Sequence, residues 1–280
     1  MSEANVLSTI LHRGVGRLRE MPTGRRDAQL LLLRVVGRDE AWLFAHPEVQ
    51  LSDEQAGQYD EWIARRLRHE PVQYILGEQE FYGLMLRVTP DVLIPRPETE
   101  HLVEAMLERV PKDAAVRICD VGTGSGAIAV ALAHALPLAA VTAVDFSAAA
   151  LQVAKENAER HGVAWRIQFV ESDLLSAVRG EKFDVVASNP PYVADSEILE
   201  AQVRLYEPSE ALFAGPTGLE VYRRLIPQAR EVLVAEGWLL MEIGQGQRDV
   251  VADLLALWDG VNFIGDLQGI PRVAIAQRRG

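Results

Sequence analysis

At 280 residues, 49% apolar and 24% charged, the sequence has the make-up of a soluble globular chain with room for one large or two ordinary domains. Its net charge of −12 is uneven: residues 1–70 carry 10 Lys and Arg against 11 Asp and Glu, and residues 71–280 carry 18 against 29. That balance disfavours nucleic acid as direct substrate, because phosphate neutralisation supplies much of such affinity, and it suits a basic protein partner.

No apolar stretch approaches the roughly 18 residues a membrane span needs, and Met1–Asn5 has no signal-peptide hydrophobic region. The lone Cys119 excludes an intramolecular disulfide and fits a reducing compartment. A cytoplasmic protein is expected.

The first 70 residues read as helices. Asp27–Val36 is a strong core helix stopped by Gly37, and a short helix around Ala41–Ala45 ends at His46-Pro47. Ser52 is an N-cap with Asp53 and Glu54 in the first turn of a helix running to about His69. Arg65, Arg66 and Arg68 near its end are read as offsetting the helix dipole. Residues 71–95 change character: Tyr74-Ile75-Leu76-Gly77 and Phe81–Val88 suggest one or two β-hairpins. Ile94-Pro95-Arg96-Pro97-Glu98-Thr99-Glu100 then leads into a helix to about Val110.

From Val116 onward, strand and helix patterns alternate as in a parallel α/β sheet. Strands are expected near 116–121, 141–145, 166–171, 183–188 and 237–243, with helices near 125–136, 147–161, 218–235 and 247–258. The short link Gly269-Ile270-Pro271 cannot house a crossover helix, so the last two strands should be antiparallel. The six histidines are dispersed and form no ligand spacing with Cys119, so no metal site is expected.

Two motifs carry chemistry. Cys119-Asp120-Val121-Gly122-Thr123-Gly124-Ser125-Gly126 ends a strand and opens a helix, a loop that lets a ligand approach the backbone closely. Asp145 ends the next strand, where a carboxylate can accept both ribose hydroxyls, and Glu171-Ser172-Asp173 ends the third. A nicotinamide dinucleotide and S-adenosylmethionine both fit this set. The loop is G-x-G-x-G rather than the dinucleotide G-x-G-x-x-G, and its acidic lead-in suits a sulfonium better than a pyrophosphate, which favours the methyl donor.

The second motif, Ser188-Asn189-Pro190-Pro191-Tyr192, ends the apolar strand Phe183–Ala187. Two prolines stop the ladder and leave carbonyls in need of donors. Asn189 and the Pro190 carbonyl can accept the two N–H groups of a planar amino or amide nitrogen, and the Tyr192 ring can lie against it.

At these residues the chain resembles class I methyltransferases of planar exocyclic nitrogens, and more closely the release factor glutamine N5-methyltransferase family. The resemblance runs through Asp27–Leu31, Glu70–Gly77, Leu93–Glu100, Gly122–Gly126, Ser172–Leu175, Ser188–Tyr192, Glu207-Pro208, Ala211-Leu212 and Glu242-Ile243-Gly244 with Gln247. It implies a helical substrate-recognition domain (1–70), a β-hairpin link (71–95) and a methyltransferase domain (96–280). That last domain would carry a Rossmann-like, seven-stranded, mostly parallel sheet with an antiparallel last strand.

The implied reaction moves a methyl group from S-adenosylmethionine to the glutamine of the release-factor Gly-Gly-Gln motif, tuning translation termination. By the match, Gly122, Thr123, Gly124, Ser125 and Gly126 contact the methionine part of the donor. Asp145 holds the ribose, Asp173 and Leu174 lie at the adenine, and Asn189 also borders the donor. Asn189, Pro190, Pro191 and Tyr192 bind the glutamine, with Asn189, Pro190 and Tyr192 as the catalytic set. A monomer without nucleic-acid, membrane or metal partners is expected. Asn-Pro-Pro-Tyr alone also occurs in DNA adenine-N6 methyltransferases. The same motifs are compatible with a ribosomal-protein glutamine methyltransferase and with a silent donor-binding protein. Ala214-Gly215-Pro216-Thr217-Gly218 departs from the family pattern and is given no role, and Val193 replaces a frequent Ile.

Overall fold

The computed structural model describes residues 5–280, whose elements fall into two units. One holds the described residues up to Gly77 together with Leu199–Tyr206; the other holds Glu78–Ile198 and Glu207–Gly280.

The first unit is helical: α1 (Leu7–Arg17), α2 (Gly24–Val36), α3 (Glu40–Ala45), α4 (Asp53–Leu67) and α5 (Val72–Leu76). Ser52 and Gln55 form a reciprocal capping box on α4, and Gly37 ends α2 in the left-handed conformation. Leu7, Ile10, Leu31, Leu32, Tyr59 and Ile63 fill its core. Gly14 lets α1 meet α4, since a Cβ there would lie 2.0 Å from the Tyr59 hydroxyl.

Two expectations are corrected here. Tyr74–Leu76 is helical rather than part of a hairpin, because Pro71 precedes the turn and Gly77 (φ 75°) closes it. Arg66 is not a solvated dipole partner: it is buried, and its Nε donates to Asp27 Oδ2 at 2.7 Å while Nη1 donates to the Glu70 carbonyl. Arg65 pairs with the Glu70 carboxylate.

The second unit opens with a single hairpin, β1 (Glu78–Phe81) and β2 (Leu84–Arg87), turned at Tyr82 and Gly83, both with positive φ. A 3₁₀ turn at Pro97–Thr99 leads into α6 (Glu100–Leu107), three residues shorter than expected. Then follow β3 (Arg117–Val121), α7 (Ala127–Ala135), β4 (Ala140–Asp145), α8 (Ala148–Arg160), β5 (Ile167–Glu171) and β6 (Phe183–Ser188). The chain continues through α9 (Ala201–Tyr206), which belongs to the helical unit, α10 (Glu220–Val232), β7 (Leu233–Glu242), α11 (Arg248–Leu254), β8 (Asp259–Gly265) and β9 (Pro271–Gln277).

The sheet order is β5-β4-β3-β6-β7-β9-β8; β9 runs antiparallel to both neighbours, and the other pairings are parallel. This is the expected mostly parallel seven-stranded Rossmann-like sheet. Strand alternation divides its core. Ile118, Val141, Val185 and Leu240 pack with α6, α7 and hairpin residues Phe81 and Leu86. Cys119, Val144, Val186 and Met241 pack on the other face with Tyr222, Leu225, Ile226, Ala229 and Val232 of α10. Those five recur at helical spacing, which is why α10 buries one stripe.

Strand order reverses between β3 and β6, the crevice where open α/β sheets bind ligands. Helix α8 helps to fix this region. Asn157, fully buried, donates to the Arg87 and Ser125 carbonyls at 2.9 and 2.8 Å and accepts from the Arg87 N–H at 2.7 Å.

Replacing Asp27 by Ala leaves the Arg66 guanidinium buried without its carboxylate. The expected cost is about 3–5 kcal/mol, read as a lower urea midpoint for loss of helical circular dichroism.

Candidate active site

Val121 ends β3 and pairs in register with Ser188, which ends β6; the Ser188 hydroxyl donates to the Val121 carbonyl at 2.7 Å. The glycine loop and Asn189 therefore leave the sheet side by side. A cleft of about 450 Å³ opens there, within the ordinary range for a small-molecule site.

Of the residues singled out in the sequence, Gly122, Gly124, Asp145, Asp173, Leu174, Asn189 and Pro191 line this cleft. Thr123, Ser125, Gly126, Pro190 and Tyr192 do not, and several are occupied behind it. The Thr123 hydroxyl donates to Asp120 Oδ2 at 2.6 Å, and the Ser125 carbonyl accepts from Asn157. At Gly126 (φ 80°) a Cβ would lie 3.0 Å from that of Ala154, so this glycine serves the packing of the loop on α8. At Gly122 and Gly124, both with positive φ, a Cβ would meet nothing within 4 Å.

Asp145 accepts from the backbone N–H of Gly124 through Oδ2 and of Ser147 through Oδ1, each at 2.9 Å. Each oxygen keeps a lone pair for another donor. Burial raises its carboxyl, opposed by these N–H groups. Asp173 is largely exposed and ion-paired with Arg224. Leu174 has φ 51°, a left-handed backbone that a leucine adopts only where its surroundings impose it.

Behind the loop, Asp120 is completely buried; Oδ2 accepts from Thr123 and the Ala129 N–H, while Oδ1 has no partner among the described residues. Burial pushes its carboxyl up to about 7.

At the end of β6, Asn189 Nδ2 donates to Thr99 Oγ1 at 3.0 Å, and the Thr99 hydroxyl donates to Glu242 Oε2 at 2.5 Å. The Tyr192 hydroxyl donates to Glu242 Oε1 at 3.1 Å. Glu242 is buried at the end of β7, and burial raises its carboxyl against these two donors. Burial beside Glu242 also raises the Tyr192 phenol, so it remains a donor. Among the described residues no donor reaches Asn189 Oδ1 or the Pro190 carbonyl.

The loop left without a role is packed against this motif. Val193 bridges Phe213, the Ala214 N–H donates to the Val193 carbonyl, and Gln247 Nε2 donates to the carbonyls of Tyr192 and Gly218.

Other lining residues receive no role from the sequence: Pro90–Leu93, Phe146, Ser147, Pro208, Ala211 and Phe213. Phe146 follows a strand-terminal Asp, the one pattern that could have marked it. The 90–93 segment and the 208–211 segment are tied by Glu207, whose buried carboxylate accepts from the Ile94 N–H at 3.1 Å and from Arg96 at 2.5 Å. Among the described residues no cluster of His, Cys, Asp or Glu could hold a metal ion, and no helix is long and apolar enough to cross a membrane.

Known proteins bear directly on this geometry. The family model "Methyltransferase small domain" matches residues 99–255, and "PrmC N-terminal domain" matches residues 9–77. A release factor glutamine methyltransferase from Koribacter versatilis is 47% identical over 92% of this chain and 93% of its own. One from Escherichia coli K12 is 39% identical over 95% and 97%. Among solved structures, a Thermus thermophilus 16S rRNA N2 G1207 methyltransferase, in complex with AdoMet and guanosine, covers 72% of this chain and 50% of its own at TM-score 0.55 and 18% identity. A Pyrococcus furiosus methyltransferase covers 78% and 98% at TM-score 0.54 and 18% identity. At such identities the structures speak for the fold.

Because the folded state holds the Asp120 proton up to about pH 7 and the unfolded chain releases it near 4, folding stability falls as pH rises through that window. Asp120→Asn should flatten this slope, removing a loss on the order of 4 kcal/mol, as measured by denaturation midpoints from pH 4 to 8.

Proposed function

The chain belongs to the release factor glutamine methyltransferase family, and from that premise we propose that it transfers a methyl group from S-adenosylmethionine to the side-chain amide nitrogen (N5) of the glutamine in the Gly-Gly-Gln motif of peptide chain release factors. The products are the N5-methylated glutamine and S-adenosylhomocysteine. The observation that carries this reading is the in-register pairing of β3 with β6, which sets the open glycine loop beside an amide with a free acceptor oxygen.

The residues present suit such a donor. Gly122 and Gly124 leave open space on the cleft side, and Asp145 has a spare lone pair on each oxygen for ribose hydroxyls. Thr123, Ser125 and Gly126 hold the loop's shape, while Asp173 and Leu174 border the space for the adenine. When bound, S-adenosylmethionine supplies a methyl group activated by its sulfonium.

The protein's share of the chemistry is positioning. An amide nitrogen is a weak nucleophile because its lone pair is delocalised into the carbonyl. Asn189 Oδ1 and the Pro190 carbonyl accept its two hydrogens, which aims the nitrogen and favours the positive charge that develops on it. Pro191 lines the cleft and flanks the planar group, while Tyr192, outside the lining, is anchored to Glu242. The methylated nitrogen is then acidic and gives its proton to solvent, so no side chain need titrate as a base. Net charge of −12 suits a basic protein substrate approaching this site.

Incubation with methyl-labelled donor and a release factor is expected to label the tripeptide glutamine. Label appearing instead in DNA or in a ribosomal protein would overturn the substrate assignment. Asn189→Ala should lower kcat about 100-fold or more while leaving donor affinity within about threefold, by calorimetry. Asp145→Ala should do the reverse first, weakening the donor by about 10- to 100-fold.

A further inference from the structure

The orientation of the Asn189 amide is dictated by Thr99 and Glu242, two residues that lie 143 apart in the chain. Both oxygens of Glu242 act as acceptors, each meeting one hydroxyl. Glu242 receives two hydroxyl donors, Thr99 on Oε2 and Tyr192 on Oε1, and is itself buried. With its only proton committed to Glu242, the Thr99 oxygen can face Asn189 solely as an acceptor. Only the Nδ2 end of Asn189 can satisfy it, which turns Oδ1 toward the cleft.

We propose that Thr99 and Glu242 are positioning residues for methyl transfer: with both Glu242 oxygens taken up as acceptors, a one-way chain of hydrogen bonds runs from Asn189 to Thr99 to Glu242 and fixes which end of the Asn189 amide meets the substrate. This rests on the amide-acceptor reading of Asn189 given above. An amide rotated by a half-turn has nearly the same shape but presents N–H groups to N–H groups, so shape alone cannot hold the productive orientation. The same carboxylate holds Tyr192, so one buried group registers both sides of the acceptor site. Glu242 is itself fixed from β7, whose Met241 pairs with Ser188, the residue before Asn189. Tyr222 adds a second brace by donating to the Glu242 carbonyl at 3.1 Å.

The role separates from mere structural support by which constants move. Thr99→Val keeps the side-chain shape and deletes the hydroxyl, and Thr99→Ala deletes it with no steric demand. Both should lower kcat for release-factor methylation about 10- to 100-fold. The KM for the release factor and the donor affinity should stay within about threefold, since neither the wider protein surface nor the donor loop is touched. Thr99→Ser restores the hydroxyl and should recover kcat to within about threefold of the original. If Thr99→Val and Thr99→Ala keep kcat within threefold while Asn189→Ala loses it, the relay is wrong and the amide acceptor stands. If Thr99→Ser is as impaired as Thr99→Val, the hydroxyl is not the active feature and the proposal likewise falls. If Asn189→Ala itself keeps kcat, the underlying reading of the acceptor site fails instead.

Discussion

The hydrogen bond from the Ser188 hydroxyl to the Val121 carbonyl locks β3 against β6 at the one place where the strand order reverses. Parallel pairing fixes how far each strand projects beyond its neighbour, so Val121 opposite Ser188 means both chains leave the sheet at the same level. A shift of one residue would turn every side chain on β6 to the other face, exchanging Val185 and Val186 between two cores. The register is thus held by both hydrophobic clusters, and the site inherits it. The glycine loop and Asn189 come from different stretches of sequence, but their separation is set by one pair of strands.

Buried carboxylates recur around this junction, each with a different set of donors. Asp120 braces the turn into α7, Glu207 ties the 90–93 segment to the 208–211 segment, and Glu242 stands behind Asn189 and Tyr192. Burying a carboxylate is costly unless it is satisfied, and these satisfy loops that have no ladder of their own. The loops gain definite shapes where the chemistry needs them. Of these three carboxylates, Asp120 alone keeps an oxygen without a partner among the described residues.

Much of this architecture was legible in the sequence because parallel strands covered on both faces read as continuous apolar runs, and their ends are where chemistry collects. Phe183–Ala187 and Val141–Val144 were plain for that reason, as were Asp145 and Asn189 just beyond them. Arg66 misled because a basic residue in the last turn of a helix has an adequate local explanation, while its true partner, Asp27, lies on another helix. Tyr74–Leu76 misled because its aromatic and β-branched content outweighed a proline and a glycine that bracket a single helical turn. Thr99 and Glu242 carried no signal of their pairing. A threonine at a helix start and a glutamate at a strand end are ordinary until the fold brings them within 2.5 Å. Sequence shows side chains that meet a ligand more readily than those that aim them, because aiming is a long-range relation.

Asn157 has a kinetic consequence. Its one amide satisfies both backbone groups of Arg87 at the end of the hairpin and the carbonyl of Ser125 in the glycine loop. Neither partner can let go without leaving the buried amide unsatisfied, so the hairpin and the loop are joined in one cooperative opening. Their amide protons therefore belong to a single exchange unit, and a ligand that quiets the loop also slows exchange in a β-hairpin it never touches.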